Sequence, residues 1–235
     1  MKDCSRFQFV LCPGSMPAKE YEPMYNKIYE CWNYVWKDAL IELAGSNELH
    51  SDLFTRQDYV AAIFDGETCF ATSFFRWANS ARTEFAQDSY FKYWSSEHLE
   101  QLSRRGHNII VSSQFTVHPH GRGKNLGFSG KDLMMGMVAE IYLNSDADAM
   151  TGAARRTRAV NDVCERWGAY PIAKNMHNEY GENIVDLYGF FKDHMLAQSP
   201  HILKPMVQDL WGQRMVIPRQ EIEPSFRREK ILKVA

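Results

Sequence analysis

The chain has 235 residues, 45% of them hydrophobic and 24% charged, proportions that exclude a disordered or collagen-like chain. Its 27 Lys+Arg against 29 Asp+Glu leave a formal net charge of −2, which gives no support to nucleic-acid binding. The five cysteines form no CxxC pair, so neither a disulfide framework nor a zinc cluster follows, and a reducing cytoplasm is expected.

In chain order, the first strand expected is Phe7–Cys12, stopped by Pro13-Gly14. That run is too short for a signal-peptide core, and no stretch approaches the roughly 20 apolar residues of a membrane span. A helix is expected from about Lys19 to Leu43, because Tyr21, Tyr25, Ile28, Trp32, Val35, Ala39 and Leu43 recur at three- and four-residue steps. Tyr59–Phe64 and Thr68–Trp77 read as a hairpin turned by Asp65-Gly66. Glu97–Arg105 reads as a helix stopped by Gly106. Asn108–Val117 is a β-branched strand closed by Pro119 and followed by a Gly-rich loop. Leu133, Met134, Met137, Val138 and Ile141 then share one helical face. Ala149–Ala154 reads as a short strand, Thr157–Trp167 as a helix capped by Gly168, and Tyr170–Phe191 as a second hairpin. This order predicts an α+β domain on a mixed sheet over residues 1–199. Residues 200–235, with Pro200, Pro205, Pro218 and Pro224, read as an irregular C-terminal extension.

The segment Ser112–Met134 carries the chemistry. A strand runs into a basic Gly-rich loop and the loop into a helix, an arrangement that turns backbone N–H groups and a helix N-terminus toward an anion. Arg122 and Lys124 add charge, and the glycines admit phosphate oxygens to the backbone. The same residues also suit a plain strand-to-helix connection with solvated charges. Walker A fails, with Asn125 and Asp132 at its first and last positions, and the Rossmann pattern fails at Leu126. The pairs His118-x-His120 and His177-x-Glu179 each lack a third ligand, so no metal is expected.

Val117-His118-Pro119-His120-Gly121-Arg122-Gly123-Lys124-Asn125-Leu126-Gly127 resembles the pyrophosphate loop of the GNAT acyltransferase superfamily, V-x-P-x-x-[RQ]-G-x-G-x-G. Asn125 alone departs from it, and Asn tolerates a left-handed backbone better than other non-glycine residues. Upstream, Ser113-Gln114-Phe115-Thr116-Val117 is similar to the S-R-F-x-V strand of acyl-homoserine-lactone (autoinducer) synthases and long-chain N-acyl amino acid synthases, with Gln114 in place of arginine. The resemblance spans roughly residues 7–191. It implies a GNAT-like, mostly antiparallel mixed sheet with helices on both faces.

It further implies an N-acyltransferase. The acyl group, fatty-acyl by the narrower likeness, would pass from acyl-CoA or acyl carrier protein (acyl-ACP) to the amine of a small molecule such as an amino acid. No cofactor would be permanently bound. Phe115, Thr116 and Val117 would meet the thioester and pantetheine. Gly121, Arg122, Gly123, Lys124, Asn125, Gly127 and Ser129 would hold the phosphates, with Ser129 serving equally as a helix N-cap. The base stays open: the strand Asn108–Val117 has no carboxylate. Water held by Ser113 or Gln114, or the side chains of Glu97, His177 or Glu179, are the candidates. Cys164 stands where the family carries its tyrosine acid, and reads as a thiol acid or as a packed small hydrophobe. Arg104, Arg105, Arg122, Lys124, Lys131, Arg155, Arg156 and Arg158 are expected to edge the donor site and to attract an acidic carrier or CoA phosphates. An ordinary acetyl-CoA-dependent N-acetyltransferase and a non-catalytic acyl-CoA-binding protein are the alternatives.

Overall fold

The computed structural model describes residues 6–45, 48–123, 126–177, 184–198 and 200–220. Its first half comprises β1 (Phe7–Pro13), α1 (Glu22–Ala44), α2 (Asp52–Thr55), β2 (Tyr59–Asp65), β3 (Thr68–Asn79), α3 (Ser96–Ser103) and β4 (Asn108–Val117). Its second half comprises α4 (Gly130–Leu143), β5 (Ala149–Arg155), α5 (Val160–Arg166), β6 (Tyr170–His177), β7 (Ile184–Phe190), α6 (Lys192–Leu196), α7 (Lys204–Gly212) and β8 (Met215–Val216). The strands form one sheet in the order β6-β7-β5-β4-β3-β2-β1-β8. Among the described strands only the β4–β5 and β1–β8 pairs are parallel. This is the mixed, mostly antiparallel α+β sheet expected. None of the described helices is long and apolar enough to cross a membrane.

Both faces of the sheet are covered. The periodic face of α1 buries Ile28 and Trp32 against Phe54, Val60 and Phe74, and Trp32 lies 5.6 and 5.5 Å from the Phe54 and Phe74 ring centres. Each such fully buried aromatic contributes about 1.5–3 kcal/mol of transfer free energy. On the opposite face, Leu133, Met134, Met137 and Val138 of α4 pack on Phe70, Ile110 and Met150. The segment between β3 and β4 folds into short turns and α3. Ser95 caps α3 by accepting from His98 N, and Phe91, Trp94 and Leu102 pack on Ile109, Val111 and Leu187.

Several boundaries differ from the sequence reading, and three of the differences have a definite cause. The hairpin loop is Gly66-Glu67 rather than Asp65-Gly66, because Asp65 still pairs with Thr68 and Gly66 takes the positive φ of 56°. Helix α5 starts at Val160, since Ala159 is left-handed at φ 50° and cannot continue a helix backwards. The segment 204–216, expected to be irregular, instead supplies α7 and β8. Val207 and Leu210, three residues apart, join the α4 core, and β8 pairs Met215 with Val10 and Val216 with Leu11. Pro205 sits in the first turn of α7, where a missing N–H costs nothing, so it was no helix breaker.

Candidate active site

Strands β4 and β5 run parallel but pair over only three positions, Ile109 with Ala149, Ile110 with Met150 and Val111 with Thr151. Beyond Val111 they separate. The cause lies in β4 itself. Thr72 pairs with Thr116, whereas Phe74 pairs with Ser113, so β4 carries one extra residue. Gln114 absorbs it at φ 52°, and such a bulge bends the strand. Two tryptophans of α1 hold the bend. Trp32 Nε1 donates to Gln114 Oε1 (3.1 Å), and Trp36 Nε1 donates to Thr116 Oγ1 (2.9 Å). Thr116 Oγ1 in turn donates to the Gln114 carbonyl (2.7 Å).

The gap opens a cavity of about 270 Å³ that crosses the sheet. On the α4 side its walls are apolar: Phe115, Met135, Val138, Cys164 and Phe190. On the α1 and α3 side they include polar groups, among them Ser113, Gln114, Tyr90, Arg155 and His177. Burial pushes the Cys164 thiol up to about 12 and raises the Tyr90 hydroxyl well above its ordinary value. A thiol so placed is neither a thiolate nucleophile nor a ready proton donor near neutrality.

After β4 the chain makes a tight turn at Pro119–Gly121. Gly121 N donates to His118 O (2.8 Å), and Arg122 Nε donates to Val117 O (2.8 Å). Gly123 and Gly127 hold φ of 70° and 69°. The loop then closes on the start of α4: a Cβ on Gly130 would lie 2.3 Å from Gly121 O. Between them lies a cleft of about 740 Å³ walled by Arg122, Gly123, Gly127, Phe128, Ser129 and Lys131. Ser129 is the N-cap of α4, accepting from Asp132 N (3.2 Å). Lys124 and Asn125 lie outside the described residues.

An acid in the first turn of α4 would repel an anion, yet Asp132 is buried there. Arg166 answers it with two hydrogen bonds of 3.0 Å, and His201, stacked on Trp167 at 4.6 Å, approaches to 3.4 Å. The pairing neutralises the carboxylate and leaves the N-terminal dipole to the cleft. Burial first, then His120 and Arg122, hold the His118 imidazole below its ordinary value.

Ser113, Gln114 and His177 therefore meet at one cavity, with Phe115 on its wall. Glu97 does not: it is an exposed first-turn residue of α3, away from the lining. Glu179 lies outside the described residues. The expected basic rim is also thinner than the sequence implied. Arg105 bonds Asp193 (2.8 Å) over the Phe191 ring, Arg158 pairs with Glu42, Arg156 with Asp186, and Arg155 turns into the cavity. Trp32, Trp36 and the Asp132–Arg166 pair escaped the sequence reading. The i, i+4 spacing of the two tryptophans on α1 was their one visible signal.

A β-bulged fourth strand splayed from the fifth, followed by a glycine-rich loop at a helix start, is the architecture of the GNAT-like acyltransferase fold, and this chain has that fold. No family model matches the sequence, and no curated protein matches it. Among solved structures it is similar to FeeM, an N-acyl amino acid synthase from uncultured soil microbes, with a TM-score of 0.55 and 10% identity over 86% of this chain and 98% of that one. It is also similar to the AHL synthase LasI (TM-score 0.53, 13% identity, 91% and 98% covered). A third similar structure is BjaI, a CoA-dependent acyl-homoserine lactone synthase solved with SAM and isopentyl-CoA (TM-score 0.52, 10% identity, 92% and 95% covered).

Proposed function

We propose that this protein is an N-acyltransferase that moves a fatty-acyl group from an acyl thioester to the amine of a small molecule such as an amino acid. The observation that carries the reading is the cavity crossing the sheet at the β4–β5 split, apolar toward α4 and polar toward α1. It adjoins a loop whose glycines and basic residues suit a phosphorylated donor. The acyl chain lies among Phe115, Met135, Val138 and Phe190. The pantetheine takes the place of strand pairing along β4, and the phosphates of CoA or of a carrier's prosthetic arm sit against Arg122, Gly123, Gly127 and Lys131.

The chemistry is direct. The amine nitrogen attacks the thioester carbonyl, a C–N bond forms, and the C–S bond breaks with the electron pair leaving on sulfur. His177 takes the proton the nitrogen sheds, directly or through water held by Ser113, and imidazole is the side-chain type suited to that step near neutral pH. The thiolate takes a proton from solvent. Backbone N–H groups of β4 at Ser113–Phe115 stabilise the oxyanion. Cys12, Cys31, Cys69 and Cys164 are all buried free thiols, which supports a reducing, cytoplasmic setting.

The test is incubation with acyl-CoAs of graded length, and with the matching acyl carrier proteins, in the presence of pooled amino acids, with thiol release followed. Release that needs both a long-chain donor and an amine is expected. Efficient use of acetyl-CoA with every longer chain ignored replaces this reading with an ordinary acetyltransferase. Donor binding without turnover replaces it with an acyl-CoA-binding protein.

A further inference from the structure

One charged group in the cavity is only partly answered by the described residues. Arg155 ends β5, and its Nη1 is buried with no hydrogen-bond partner among the described residues. Its guanidinium carbon sits 5.2 Å from the Trp36 ring centre, a cation–π contact that orients the group without satisfying Nη1. Its neighbours are already committed. Arg158 pairs with Glu42, Arg156 with Asp186, and Glu165 with Lys174 and Tyr188. Burial first, then Arg158, disfavour the Arg155 charge, and Glu42, itself paired with Arg158, offsets part of that. A guanidinium stays protonated in proteins, so a half-buried one whose Nη1 is buried and unbonded is costly until an acceptor joins it.

The phosphate cleft does not supply that anion, since none of its lining residues is Arg155 and it lies past the end of β4 rather than inside the sheet. A planar, two-oxygen anion matches the guanidinium fork best. The polar side of the cavity holds Ser113 and His177 with Arg155, beside the apolar Trp94, Met176 and Leu187.

From this arrangement we infer that Arg155 binds the carboxylate of the acceptor, so that the acceptor is an α-amino acid with an apolar side chain, held with its amine toward the β4–β5 split. The inference rests on the acyltransfer reading for its chemistry but not for its binding. Nothing else in the cavity's described lining carries a fixed positive charge, so Arg155 sets acceptor specificity.

The test uses L-phenylalanine and L-leucine, each as free acid, carboxamide and decarboxylated amine, with saturating long-chain acyl-CoA. The free acids should lead by at least about tenfold in kcat/KM, since a site built to bond a group rejects analogues that lack it. Arg155→Gln should raise the KM of the acids about tenfold or more while leaving the amides and amines within about threefold, and Arg155→Lys should recover part of the loss. Equal losses on all three acceptor types, or no preference for the acids, overturns the inference. Trp36 provides a second readout that needs no turnover. Its fluorescence should respond to the free acids and not to the carboxamides, and the response should vanish in both Arg155→Gln and Trp36→Phe. Acid-selective binding without acyl transfer would keep the inference and remove the acyltransfer reading. Absence of acid selectivity in both assays removes the inference.

Discussion

The close approach of loop and helix gives the sharpest test of the donor site. In Gly130→Ala the new Cβ would meet Gly121 O at 2.3 Å and Gly121 C at 3.2 Å, whereas ordinary contact begins at 3.4 Å. Both opposing atoms are backbone, so no rotamer relieves the clash, and the loop or the helix start must shift by about 1.1 Å. Overpacking costs typically about 1–3 kcal/mol, and the Gly-to-Ala gain in helix propensity, up to about 1 kcal/mol, offsets part of it. The net is about 0–3 kcal/mol, or a Tm drop of at most roughly 12 °C for a chain of this size. Function should suffer more, because a misplacement of about 1 Å can cost about 100-fold. Calorimetric titration with CoA, paired with thermal unfolding, measures both. Gly212→Ala is the control, since a Cβ there meets nothing within 4 Å. A folded Gly130→Ala protein that binds CoA as the wild type does would refute the placement of the phosphates. Gly127→Val, which forces a β-branched residue to φ 69°, should lose donor affinity in the same way by an independent route.

Three other perturbations address different parts of the site. Cys164→Ser should keep most activity, and no acyl adduct should form at Cys164, because burial holds its thiol up at about 12; a trapped thioester in mass spectrometry would contradict this. Trp32→Phe removes the donor to Gln114 Oε1 and should cost about 1 kcal/mol, a Tm drop of about 2–4 °C, with a larger loss of turnover as the bulge relaxes; unchanged kinetics would dissociate the bulge from catalysis. His118 is held below 6.5 when folded, so the unfolded chain binds its proton more readily and stability falls as pH drops through 6.5. His118→Gln should therefore lose less Tm than wild type between about pH 7.5 and about pH 5.5, and an equal loss would show that other groups dominate.

Most of the sheet was legible because its strands are marked locally. β4 is bounded as expected by Asn108 and Val117, since Ile109, Ile110 and Val111 are β-branched and Pro119 blocks extension. The turn after β4 was legible as a loop because Pro119 and the closely spaced glycines suit neither a continuing strand nor a helix. What stayed hidden depends on long-range packing. The positive φ of Gln114 carries no mark in a residue that is neither Gly nor Asn. The sequence sets Arg155, Arg156 and Arg158 alike at the edge of the donor site, and only β5's emergence at the split shows that the first of them lines the cavity. Glu97 looked available as a base because the segment between β3 and β4 has no periodicity that fixes its facing. Helix α7 was masked by prolines whose positions prove compatible with it.

The parallel pairing of β8 with β1 has a consequence for biosynthesis. Val10 must wait for Met215, 205 residues later, before its strand gains its second neighbour. At about 5–20 residues per second, that delay is on the order of 10–40 s. During it β1, which stands next to last in the finished sheet, is a bare edge able to pair with any extended segment nearby. The same delay holds back α7, whose Val207 and Leu210 cover α4. A nascent chain paused before residue 204 thus carries the proposed donor loop on an unsealed sheet. Its partition between native closure and intermolecular strand pairing is set by translation speed and chaperone occupancy rather than by the stability of the finished protein.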